Sequence, residues 1–160
     1  MAIQNGDTIP EAKLTQATAE GPRERSTQDL FAGKTVVLFG VPGAFTPTCS
    51  AKHMPGFVQQ AAALKAKGVD TIACMAVNDP FVMKAWGESQ GITDEVLLLA
   101  DGSAAFTRAL RLELDLTARG MGVRCQRFAL VAKDGKVVYL GVEEPGAFEV
   151  SKAETVLAAL

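Results

Sequence analysis

The chain has 160 residues, 48% of them hydrophobic and 21% charged, with 16 basic against 18 acidic side chains. This length suits a single domain, residues 1–160, that can bury roughly two-thirds of its unfolded surface without a disulfide or metal staple. A net charge of −2 offers no basic footprint for nucleic acid or an anionic membrane surface. Three cysteines (Cys49, Cys74, Cys125) without a CxxC pair argue against a disulfide scaffold and a dithiol site, and the single histidine, His53, rules out HExxH and multi-histidine metal centres. No apolar run approaches the roughly 18 residues of a membrane span, and the first residues lack a signal peptide's basic and apolar regions, so a soluble, cytoplasmic chain with free thiols is expected.

In chain order, Thr35 to Val41 is β-branched, aromatic and nearly all apolar, which predicts a strand buried on both faces at the centre of a sheet. After the proline-rich turn Pro42 to Pro47, a helix is expected from near Thr48 to Gly68, with Pro55 kinking its first turns. Val69 to Val77 reads as the next strand, and Asp79 followed by Pro80 as the cap and first position of a second helix. Val96 to Ala100 is a short strand and Ala104 to Leu112 a third helix, and Arg127 to Leu140 is a hairpin turning at Asp134-Gly135. Ser151 with Glu154 resembles a capping box opening a last helix, Lys152 to Leu160. Parallel strands from the crossovers and an antiparallel pair from the hairpin predict an α/β fold, a central mixed β-sheet with helices on both faces.

Pro42-Gly43-Ala44-Phe45-Thr46-Pro47-Thr48-Cys49 joins the central strand to its helix at the carboxyl end of the strand, where α/β sheets usually place their sites. In the first helical turn, unpaired backbone N–H groups and the positive end of the macrodipole favour an anion, so a cysteine here is held toward its thiolate. Thr46 is close enough through the turn to bond the sulfur or an oxygen bound beside it. Prolines 42 and 47 stiffen the loop. On this local pattern alone, a buried, inert cysteine is as good a reading.

The longer pattern PGAFTPTCSxxHxPGF, Pro42 to Phe57, resembles the active-site signature of the peroxiredoxins, most closely their peroxiredoxin 5 or type II subgroup. Val77-Asn78-Asp79-Pro80-Phe81-Val82 with Trp86, Leu98 to Gly102, and Arg124 to Val131 with Asp134-Gly135 resemble subgroup landmarks in the same order. The resemblance implies a thioredoxin-like fold, homodimers and a thiol-dependent peroxidase acting on hydrogen peroxide and alkyl hydroperoxides. It implies that Cys49 is the peroxidatic cysteine, oxidised to a sulfenic acid. Thr46 would orient the peroxide, Pro42 would shield the sulfur, and Arg127 would stabilise thiolate and leaving oxygen with the N–H groups of 48 and 49. No metal or organic cofactor is implied. A peroxide sensor or redox-regulated binding protein using the same cysteine is the alternative.

His53, one turn after Cys49, superficially suggests a Cys–His pair, but Pro55 disturbs the helix there and a structural hydrogen bond is the better reading. Strand parity points Arg124 away from the Arg127 face and Cys125 toward it. Phe81, Val82 and Trp86 suit either a subunit contact or the core. Gly33-Lys34-Thr35 ends like a phosphate loop, but Gln28 stands where that loop's first glycine belongs. Some members of the subgroup carry a resolving cysteine near the C-terminus, whereas Val142 to Leu160 contains none, and Cys74 and Cys125 read as packing residues. A one-Cys mechanism follows, with glutathione and glutaredoxin, or thioredoxin, as external reductant.

Overall fold

The computed structural model describes residues 2–160. It opens with an antiparallel pair, β1 (Lys13–Thr18) and β2 (Gly21–Ser26), and a short helix α1 (Thr27–Phe31) capped by Ser26. Then come β3 (Thr35–Gly40), a π-helical turn over Cys49–His53 and the continuous α2 (Met54–Ala66), followed by β4 (Thr71–Ala76) and α3 (Pro80–Ser89). β5 (Leu97–Ala100) and α4 (Ala105–Leu110) lead to a separate small pair, β6 (Glu113–Leu116) and β7 (Gly122–Cys125). β8 (Phe128–Lys133), β9 (Lys136–Val142) and α5 (Ala153–Ala158) close the chain.

Seven strands form one mixed sheet in the order β2-β1-β5-β4-β3-β8-β9. The β3–β4 and β4–β5 pairs are parallel, joined by crossovers through α2 and α3, and the remaining pairs of this sheet are antiparallel. Alternation along the central strand divides the core: Val37, Phe39 and Val41 face α2, α3 and α5, whereas Val36 and Leu38 face α1 and α4. Helices therefore cover both faces, the thioredoxin-like arrangement expected from the sequence. The Asp134-Gly135 turn has positive φ at both positions (49° and 78°), the geometry that matches a tight hairpin to strand twist.

Three local expectations change. The distortion expected from Pro55 takes the form of a π turn below Cys49. Pro55 has no N–H to give the Ala51 carbonyl and its ring would strike that carbonyl, so the wider turn relieves both before α2 runs on regularly. Ser151 does not cap α5. Lys152 occupies the cap position with no side-chain bond, because the Ser151 hydroxyl donates instead to Glu143 Oε2 at 2.6 Å. β1, β2, β6 and β7 add to the expected elements. β2 carries Pro22, Arg23, Glu24 and Arg25 at the sheet edge, where proline and charge discourage further pairing and hide the apolar alternation that marks inner strands.

Candidate active site

β3 delivers the chain from the sheet centre into the loop Pro42–Pro47. This loop is tied to the next crossover by the Ala44 N–H, which donates to Asn78 Oδ1 at 2.9 Å. Thr46 Oγ1 donates to the Gly43 carbonyl at 2.6 Å, and the Thr46 carbonyl accepts from Ser50 N–H at 3.0 Å, opening the helical turn that holds Cys49. Having spent its one hydrogen on Gly43, the Thr46 hydroxyl has only lone pairs left to offer. Among the described residues no acceptor engages the Thr48 or Cys49 backbone N–H, the groups that a helix start leaves open. Gly43 lets Arg124 come close: a Cβ there would lie 2.6 Å from Arg124 Nη1 and would push that side chain aside.

Arg127 and Cys49 meet directly, Nη2 donating to Sγ at 3.2 Å. The other arm of the guanidinium, Nη1, donates to His53 Nδ1 at 2.9 Å, and His53 Nε2 bonds the Ser151 carbonyl at 2.9 Å. A carbonyl and a guanidinium fix the tautomer between them: the proton sits on Nε2, and the Nδ1 lone pair faces Arg127. His53 therefore steadies Arg127 and is not the base of a Cys–His pair. Phe39, Phe57 and Phe148 enclose its ring, the last edge-on at 5.2 Å. Burial, with help from the Arg127 charge and against the Ser151 bond, pushes its pKa down to about 3.

That shift has a consequence for stability. The unfolded chain takes up this proton near pH 6.5 while the folded one resists it to about 3, so the contribution is complete above pH 6.5 and is lost as pH falls through this window. The expected slope is about 1.4 kcal/mol per pH unit in the middle of the window. Urea unfolding between pH 7 and 4.5 should show a steeper acid loss for the wild-type chain than for His53→Gln, and equal slopes would contradict the neutral assignment.

Strand parity fails at residues 126 and 127, which form an irregular link between β7 and β8 in different sheets. Arg124, expected to point away, reaches the loop that leads into Cys49, whereas Arg127 reaches Cys49 and His53 themselves. Arg124 Nη1 donates to the Pro42 carbonyl at 3.2 Å and its Nε to Met121 at 2.9 Å, while Pro42 itself is half-buried beside them. Cys125, which ideal parity turns toward the site but which reads as a packing residue, packs in the opposite core layer and donates its S–H to the Val41 carbonyl at 3.1 Å. Burial pushes the Cys125 thiol up to about 12 and raises that of Cys74, which lies inside β4. Trp86 is a core residue whose indole N–H donates to Ser50 Oγ at 2.9 Å, whereas Phe81 is 70% exposed. Neither Ser151 nor Glu143 is marked as a site residue by the sequence. Ser151 carries only a helix-start signal there, and Glu143 follows a strand with nothing local to mark it.

The constellation is a cysteine at a helix start, a cation on its sulfur and open N–H donors beside it, and among the described residues no cluster of three His, Cys, Asp or Glu side chains could hold a metal ion. The Redoxin family model matches residues 4–157. Peroxiredoxin-2C of Oryza sativa subsp. japonica is 54% identical over 97% of this chain and 96% of its own length. The chain belongs to the peroxiredoxins. A structure of reduced Prx3 from Vibrio vulnificus in complex with H2O2 superposes on this peroxiredoxin with a TM-score of 0.94 at 56% identity, covering 98% of both chains. The Plasmodium falciparum antioxidant protein, described as a 1-Cys peroxiredoxin, does so with a TM-score of 0.90 at 28% identity over 96% of each. Family and fold thus agree with the resemblance seen in the sequence, and this peroxiredoxin is a thiol-dependent peroxidase. No helix among the described residues is long and apolar enough to cross a membrane.

Proposed function

We propose that Cys49 is the peroxidatic residue of a one-Cys cycle in which an external thiol completes turnover. The observation that carries this reading is the Arg127 guanidinium on the Cys49 sulfur at 3.2 Å. The thiolate attacks one oxygen of a hydroperoxide. An S–O bond forms, the O–O bond breaks, and the departing alkoxide or hydroxide, met by Arg127 and the Thr48 and Cys49 N–H groups, takes a proton from solvent. Thr46 accepts the peroxide O–H and Pro42 walls the sulfur from bulk water. The substrate is hydrogen peroxide or a small alkyl hydroperoxide, in keeping with a sulfur that is fully buried.

The resulting sulfenic acid is attacked by an external thiol, glutathione with glutaredoxin or else thioredoxin, forming a mixed disulfide and releasing water; a second thiol then restores Cys49. This external route is favoured because Cys74 and Cys125 are buried and held protonated, a poor state for attacking Cys49. The three free thiols suit a reducing, cytosolic compartment. Coupled NADPH oxidation with peroxide, run separately with the glutathione–glutaredoxin and thioredoxin chains, tests the cycle. Sustained turnover with one of them is expected, and a single equivalent consumed with both would instead mark a sensor.

The same face serves homodimer formation in this reading. Phe45 is 55% exposed at a positive φ of 66°, Phe81 is 70% exposed, and the Ala44–Asn78 bond links the segments that carry them. An aromatic held outward on a strained backbone is a recognisable docking element. Sedimentation velocity should give a dimer for the wild-type chain and a monomer for Phe81→Asp, and an unchanged dimer in the variant would remove this face from the interface.

A further inference from the structure

Glu143, the first residue after β9, is 8% exposed and pairs with no cation among the described residues. Its Oε2 collects three donors from one short segment: Glu149 N–H at 2.7 Å, Ser151 N–H at 2.8 Å and Ser151 Oγ at 2.6 Å. An ionised carboxylate suits this convergence because it only accepts, whereas an amide would bring hydrogens of its own. The segment has no strand ladder to hold it. Besides Glu143 it is held by Tyr139 Oη, which donates to the Val150 carbonyl at 2.6 Å, by Thr155 Oγ1, which donates to the Glu149 carbonyl at 2.6 Å, and by the bare Cα of Gly141, where a Cβ would strike the Val150 carbonyl.

What the segment presents to the site is the Ser151 carbonyl, the acceptor for His53 Nε2. The Glu143 main chain also reaches the site, its N–H donating to the Arg127 carbonyl at 2.9 Å. One residue thus anchors Arg127 by its backbone and, through Ser151 and His53, by its side chain. We propose that Glu143 is a positioning residue of the peroxidase reaction: its carboxylate holds the Ser151 carbonyl on His53 Nε2, which keeps the Nδ1 lone pair on Arg127 and the guanidinium on Cys49 Sγ. This rests on the assignment of Cys49 and Arg127 above. Of the side chains on this connection, Arg127 meets both His53 and the Cys49 sulfur directly.

The test uses the full chain and the substitutions Glu143→Ala and Glu143→Gln, with Leu30→Ala in the opposite core layer as a destabilised control. Three quantities are read: the stopped-flow rate with hydrogen peroxide, the rate of Cys49 alkylation by iodoacetamide at pH 6.5 located by peptide mass, and the His53 ring tautomer by nitrogen-15 NMR. Glu143→Ala should slow peroxide reaction and alkylation by about tenfold or more and end the pure Nε2–H tautomer, since a misaimed catalytic group loses much of its effect. Glu143→Gln should fall between it and the wild type, about threefold slower, and Leu30→Ala should stay within about twofold. If Glu143→Ala does not fold, Glu143→Gln decides alone. Rates within about twofold of wild type and an unchanged tautomer in every folded Glu143 variant, or an equal loss in Leu30→Ala, would overturn the proposal. Failure of the underlying assignment looks different: peroxide turnover would survive Cys49→Ser.

Discussion

Cys49→Ser is expected to reduce peroxide consumption to the background of free thiol in the assay while leaving the fold intact. Serine is nearly isosteric with cysteine, and the buried hydroxyl inherits the Arg127 Nη2 donor that now meets Sγ, so no polar group is stranded. What disappears is the nucleophile. A hydroxyl stays protonated where a thiol can ionise, and an alcohol oxygen cannot be carried to a sulfenic acid. Cys74→Ser and Cys125→Ser serve as the comparison. Both side chains are fully buried and the burial that raises their thiols keeps them out of the chemistry, so each variant should keep turnover with at most a loss of stability. Near-wild-type consumption by the Cys49 variant, measured by loss of hydrogen peroxide with excess reductant, would move the nucleophile elsewhere.

Arg127→Ala should slow the reaction with peroxide by about 100-fold or more, the usual cost of losing one donor aimed at charge developing in the transition state. The structure gives a reason to expect the larger end. The Arg127 partner other than sulfur is a neutral imidazole, and among the described residues no ion pair includes it, so no carboxylate offsets its charge at Cys49. Arg127→Lys separates charge from geometry. A lysine supplies the charge at one point but cannot span both His53 Nδ1 and Cys49 Sγ, so it should recover only part of the loss. Stopped-flow rates for the three chains check this, and equal rates for alanine and arginine would show that the guanidinium contributes through packing alone.

Much of the site was legible because its residues lie in one segment. Pro42, Thr46 and Cys49 are read off a strand–turn–helix junction, and the central strand announces itself by seven apolar or β-branched residues with one glycine among them. Arg127 came from the family pattern alone. Nothing local tells that a residue 78 positions from Cys49 arrives on its sulfur, since this depends on β8 pairing with β3. Parity reasoning on Arg124 and Cys125 went astray for a definite cause: it assumed one strand where the chain leaves the small sheet and enters the large one. Glu143 and Ser151 were hidden by a similar ambiguity. A serine three residues before a glutamate signals a helix start, and the tertiary claim of the Glu143 carboxylate on that serine outweighs the local one.

In the proposed one-Cys cycle, Cys49 alone takes the oxygen from peroxide and yields it to a thiol from outside the chain. Non-reducing peptide mass spectrometry after one equivalent of hydrogen peroxide, with and without glutathione, tests this most directly. Sulfenic acid on Cys49 is expected in the sample without glutathione and a glutathione adduct on Cys49 in the sample with it, with Cys74 and Cys125 untouched in both. A stoichiometric Cys49–Cys74 or Cys49–Cys125 disulfide, or oxidation that bypasses Cys49, would contradict it.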